Sequence, residues 1–83
     1  MSVENTRQKF LSLALAVRRD EALRTILSTS EMAAVALLLN RADWLDEMQM
    51  SLLGAIDRIG MTLISQLRHV EPLVQKVPDE MQV

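Results

Sequence analysis

The chain has 83 residues, enough for one domain but short enough to bury only roughly 60–65% of its unfolded surface, so its core is marginal unless something adds to it. Cysteine is absent, which excludes disulfides and thiolate-held metals and leaves oligomerisation as the common remedy. The net charge of −2 comes from nine basic and eleven acidic side chains spread along the chain, leaving no dense patch for a nucleic-acid backbone.

With two glycines, two prolines, one Phe, one Trp and no Tyr against many Ala, Leu and Met, the composition is that of an all-α protein; strands would want more β-branched and aromatic residues. Residues 1–4 are expected to fray, and Asn5 with Gln8 has capping-box spacing. A first helix over residues 6–19 places Phe10, Leu13, Ala14 and Val17 on one face, with Leu11 and Leu15 adjoining. The run 10–17 after Arg7 and Lys9 has the outline of a signal-peptide core. It is short for one, Glu4 sits where a basic leader should be, and no polar stretch leads to a cleavage site, so an uncleaved chain is expected.

Arg18-Arg19-Asp20-Glu21 is the first polar interruption. Asp20 can cap a short helix to about residue 27 that buries Leu23, Ile26 and Leu27, although nothing there forbids the first helix from continuing. At Ser28-Thr29-Ser30-Glu31 the signal is stronger, because Ser28 and Glu31 have capping-box spacing. The next eight residues, 32–39, are apolar on every side. Too short for a bilayer, which needs about twenty, they are expected to form the central buried helix. Asn40 suits a helix end, and Asp43, Asp46 and Glu47 place acids where the next helix dipole favours them.

Residues 43–70 carry the most regular pattern in the chain. Leu45, Met48, Leu52, Ile56, Ile59, Leu63, Leu67 and Val70 repeat every eleven residues, about 3.67 per turn, so the stripe runs nearly parallel to a helix axis. A second ridge lies beside it, with Leu53 and Ile64 on one flank and Met50 and Met61 further round, while Glu47, Ser51, Gly54, Arg58, Thr62, Ser65 and His69 face away. A single helix over 43–70 would be about 42 Å long, and its apolar surface is wider than one antiparallel neighbour covers. One helix over 29–70 is the alternative; extending the repeat backwards places Arg41 on the apolar stripe, which favours a corner there. Glu71-Pro72 should end the helix, and residues 72–83 form a tail expected to be partly disordered.

Groups with chemistry are few. His69 is the sole histidine, placed to favour a helix C-terminus. Asp43, Asp46 and Glu47 could meet a hard cation, but neither an EF-hand loop nor a Glu-x-x-His pair accompanies them, and first-turn acids are the ordinary explanation. Gly54 and Gly60 lie inside the helical pattern and do not make a phosphate loop. Gly60 falls between the two ridges, where a neighbouring backbone could come close; Gly54 faces solvent in this register.

These features describe an all-α bundle of three to four helices built on one long helix at about 43–70, spanning a domain of residues 1–71 and completed by dimerisation. The expected activity is non-enzymatic: binding of a protein partner, as a cytoplasmic regulatory homodimer, with no cofactor, metal or membrane. Trp44, Met50, Leu53, Gly60, Met61 and Ile64 are the candidate partner or dimer interface. Core filling is the plainer reading of the methionines; Trp44 is a binding hot spot if exposed and a cap over the helix junction if not. The alternative function, a small DNA-binding transcriptional regulator, would need residues 18–24 as its recognition helix.

Overall fold

The computed structural model describes residues 3–77. Along them run α1 (Val3–Arg19), a 3-10 helix (Glu21–Ile26), α2 (Thr29–Leu38), α3 (Ala42–Glu47), α4 (Leu52–Ile59) and α5 (Met61–Lys76). No strand occurs among the described residues, so the fold is all-α, as the composition implied.

The helix boundaries follow local chemistry. α1 starts at Val3, before Asn5, so the Asn5–Gln8 pair lies inside the helix and not at its cap. Asp20 ends α1 in an extended conformation and accepts the Ala22 amide on its carboxylate at 3.2 Å, starting the 3-10 helix. Leu23 and Leu27 pack against the core, but Ile26, expected inside, is exposed, because the 3-10 helix ends there and the chain turns away. The Ser28 box forms in full: the Glu31 amide donates to Ser28 Oγ at 3.2 Å, and the Ser28 amide donates to Glu31 Oε1 at 3.0 Å. α2 ends in a Schellman turn, with Asn40 at φ 58° and the Arg41 amide donating back to the Ala36 carbonyl at 2.8 Å.

The expected rod over 43–70 is corrected: the chain breaks twice within it. Gln49 takes φ 57°, and the Met50 and Gln49 amides donate to the Leu45 and Asp46 carbonyls, each at 2.9 Å. That is a second Schellman turn, closing α3 on a residue type that rarely adopts it. Ser51 then caps α4, its Oγ accepting the Gly54 amide at 2.9 Å. The second break is Gly60, at φ 91° and ψ 151°, a region essentially open to glycine alone. An eleven-residue repeat fixes which side of each piece faces inward but says nothing about continuity between pieces. Leu45, Leu67 and Val70 of the stripe are buried, and Met48, Ile56, Ile59 and Leu63 are half-buried, while the whole folds within 32 × 29 × 20 Å.

The expected stop at Glu71 is also corrected, since α5 runs through Pro72 to Lys76. A helix-interior proline removes one hydrogen bond and costs about 3 kcal/mol. Buried Val70 and Val74 on either side of it hold the helix against the core. Arg18 of α1 also caps the far end, donating to the Val74 carbonyl at 3.2 Å and to the Val77 carbonyl. The rest of the expected tail, residues 78–83, lies outside the described residues.

α2 is the axis of the molecule. On one side Met32, Ala33, Val35 and Ala36 pack with Val17, Trp44, Leu45 and Ala55. On the other, Ala34 and Leu38 pack with Phe10, Ala14, Leu67, Val70 and Val74. Leu13, Leu39 and Ile59 touch both clusters. The alanines of α2 let its neighbours approach closely, and six of the eight apolar residues at 32–39 are buried, Leu37 and Leu39 staying half-buried.

Candidate protein-interaction surface

α4 has only eight residues, and five of them are apolar, Leu52, Leu53, Ala55, Ile56 and Ile59, spread over an arc of about 160°. Two turns of helix lying on α2 can bury one side. Ala55 takes that position, fully covered, with Ile56 and Ile59 half-buried beside it. Leu52 and Leu53 are left outside, 57% and 78% exposed. The corner at Gly60 then brings the chain directly into Met61, 72% exposed.

An apolar groove of about 140 Å³ opens between α2, α4 and α5, walled by Leu37, Leu38, Ile56, Ile64 and Leu67 and edged by Arg68 and Glu71. Leu37 also lines a second hollow that contains Leu52 and Leu45. Exposed Leu52 therefore shares a wall with the groove, and the apolar surface continues from α4 across α2 to α5. Single exposed leucines are ordinary on a small protein, but large apolar side chains gathered beside a groove are not.

The six candidate interface residues divide. Leu53 and Met61 are exposed, and Ile64 lines the groove. Gly60 is the corner that sets these elements at an angle. Met50 is half-buried against the core cluster of α2, α3 and α4. Trp44 is 1% exposed, with the Arg41 guanidinium 4.3 Å from its ring centroid and that of Arg24 4.6 Å away. Their positive charge sits over the negative faces of the indole, so Trp44 is the cap over the helix junction. Leu52, Leu37 and Ile56 belong to the surface and were not among the candidates. The repeat placed Leu52 and Ile56 inward; only the adjacency of two leucines at a two-turn helix could have flagged them.

The charged groups near Trp44 are engaged with one another. Arg41 donates to both carboxylate oxygens of Asp43, at 3.0 and 2.9 Å, and to Glu21 at 3.3 Å. The Arg41 hydrogen bonds hold the Asp43 carboxyl below its ordinary range, and those to Asp43 and Glu21 raise the guanidinium further. Arg24 reaches Glu47 at 3.5 Å. Two of the three acids at 43–47 thus serve as arginine partners. Among the described residues no group of His, Cys, Asp and Glu is arranged to hold a metal ion. Residues 18–24 span the end of α1 and the start of the 3-10 helix, with Arg18 turned onto the end of α5 and Arg24 onto Trp44.

Compared with protein-family models, with curated proteins and with solved structures, the chain matches none. Among the described residues no helix is long and apolar enough to cross a membrane.

Proposed function

We propose that this chain is a small, non-enzymatic interaction protein that regulates by binding protein through the α4–α5 surface, and that it also associates with its own copies there. The observation that carries this reading is the exposure of Leu52, Leu53 and Met61 beside a groove walled by Leu37, Ile56 and Ile64. The groove, about 140 Å³, would take a single large apolar side chain anchoring an amphipathic helix, with Arg68 and Glu71 as the polar edge. Covering the three exposed side chains is worth roughly 1.5–3 kcal/mol each when complete. The total, about 4.5–9 kcal/mol, is largely offset by the cost of association, so contacts along the groove must add to it for micromolar binding.

The rod whose width first called for a companion does not exist, so self-association now rests on this smaller surface alone. Light scattering on a sizing column, with differential capture by wild type and Leu53→Glu, tests the reading. Expected are a concentration-dependent dimer and a set of captured proteins, both lost in Leu53→Glu with its helicity unchanged. A wild-type monomer whose captured proteins are the same as those of Leu53→Glu refutes it.

A further inference from the structure

The eleven-residue stripe does not stop at Gly60. Leu52, Ile56 and Ile59 before the corner and Leu63, Leu67 and Val70 after it keep the spacing of one helix. The hydrogen bonds keep it too: the Gly60 amide donates to the Ile56 carbonyl at 2.9 Å, and the Ile64 amide donates to the Gly60 carbonyl at 3.0 Å, both four residues back. What the corner omits is the set between them. The amides of Met61, Thr62 and Leu63 open α5 behind a glycine that has no side chain to cap them, and the last carbonyls of α4, at Asp57, Arg58 and Ile59, lie just across the same residue. Straightening at Gly60 joins these three donors to these three acceptors.

We propose that Gly60 is a hinge between two states, and that the partner of the open state is a second copy of this chain, with α5 exchanged between the two. The inference deepens the self-association part of the reading above. A continuous helix over residues 52–76 would be about 37 Å long, longer than the 32 Å maximum extent of the closed molecule, so α4 and α5 could not both keep their seats on one molecule. The second copy offers the same seat. Leu67, Val70 and Val74 would again meet Phe10, Ala14, Ala34 and Leu38. Gln66 would again accept from Arg7, and the Val74 carbonyl from Arg18. Exchange of this kind changes only the hinge and adds one new contact around it.

That new contact has residues ready for it. On a straight helix Leu53, Gly60 and Ile64, seven and four apart, fall within about 40° of one another, and Met61 lies beside them. Two such helices crossing near the two-fold axis would meet at Gly60, where the missing side chain permits close approach, and would cover Leu53 and Met61, which the closed form leaves exposed.

Gly60→Ala tests the hinge, since alanine disfavours the corner conformation and favours the helix. The readouts are light scattering from micromolar to millimolar concentration and exchange between differently tagged copies. Expected is an association constant at least tenfold above wild type, with exchange over hours because α5 must leave its seat. Two glycines inserted after Gly60 should lower dimerisation. A dimer unchanged by Gly60→Ala that exchanges within seconds overturns the hinge and leaves face-to-face association standing. If Gly60→Ala does not fold, wild type refolded at millimolar concentration decides. A dimer lost on glycine insertion supports exchange of α5; a dimer retained on insertion, or a wild-type monomer, overturns it.

Discussion

Trp44 separates a core role from a binding role more sharply than any other residue. Replacing a buried tryptophan by alanine costs about 3–5 kcal/mol through lost burial and the cavity left behind. Trp44 is 1% exposed and packs within the cluster that joins α2, α3 and α4, so the full range applies. The two guanidiniums over its ring are themselves partly exposed, 26% for Arg24 and 37% for Arg41, which places each cation–π contact near the low end, about 0.5–1 kcal/mol. The sum is about 4–7 kcal/mol. A domain of this length has only about 4–12 kcal/mol of stability in all. Trp44→Ala should therefore be close to unfolded, while Trp44→Phe, which keeps a ring between the arginines, should lose about 1–2 kcal/mol. Urea unfolding followed by circular dichroism measures both without relying on the lost fluorophore. A Trp44→Ala variant within about 1 kcal/mol of wild type, still cooperative, would refute the reasoning and return the indole to the list of binding residues.

Three further outcomes are expected. Gln49→Gly removes the cost of a left-handed residue at the end of α3 and should raise stability by about 0.5–1 kcal/mol, seen as a higher urea midpoint at unchanged slope. Pro72→Ala restores an amide opposite the Arg68 carbonyl and should add about 2 kcal/mol, or about 10 °C in melting temperature; a lower melting temperature would show that the proline is not a burden on α5. The Ser28 amide, and then Lys9 at 3.0 Å, hold the Glu31 carboxyl below its ordinary value. A folded value below the unfolded one gives stability that is complete above about pH 4.3 and is lost as pH falls through the folded value. Glu31→Gln should accordingly narrow its stability gap to wild type as the solution is acidified over that range, and a gap constant with pH would contradict this assignment.

The parts of the fold visible in the sequence are those with a local chemical cause. Ser28 with Glu31, Asp20, the αL-tolerant Asn40 and the all-apolar run of α2 each specify a boundary or a burial by themselves, and each does so in the structure. Arg41 on the apolar stripe marked the corner before α3 for the same reason. The breaks at Gln49 and Gly60 were missed on opposite grounds. Gln49 is an unusual residue at a Schellman turn, held there by the Ser51 cap that follows and by Met50 packing on the core. Gly60 did stand out, but a glycine between two ridges reads equally as a close-packing site and as a corner. The continuation through Pro72 depends on Arg18, more than fifty residues earlier, and no local pattern carries that. For the site, Leu53, Met61 and Ile64 were legible as apolar residues off the main stripe. Leu37 and Ile56 became groove walls only when the breaks folded α4 back beside α5.

Stability is distributed unevenly over these elements, and the interaction surface lies at its thin end. α1, α2 and α5 share one cluster of seven buried residues, with Arg18 and Arg7 tying α1 to α5. α4 contributes a single buried residue, Ala55, and is joined to its neighbours by a left-handed turn on one side and a glycine on the other. Local opening costs least where few apolar contacts must be broken, so among the α-helices α4 is held least firmly in the closed molecule. Detachment would bare more of the α2 surface at Ala33 and Ala36, which α4 covers through Ala55, and would widen the groove at Ile56. An incoming helix then need only displace what is already loosely held, and the exposed Leu52 and Leu53 stand on the element that moves.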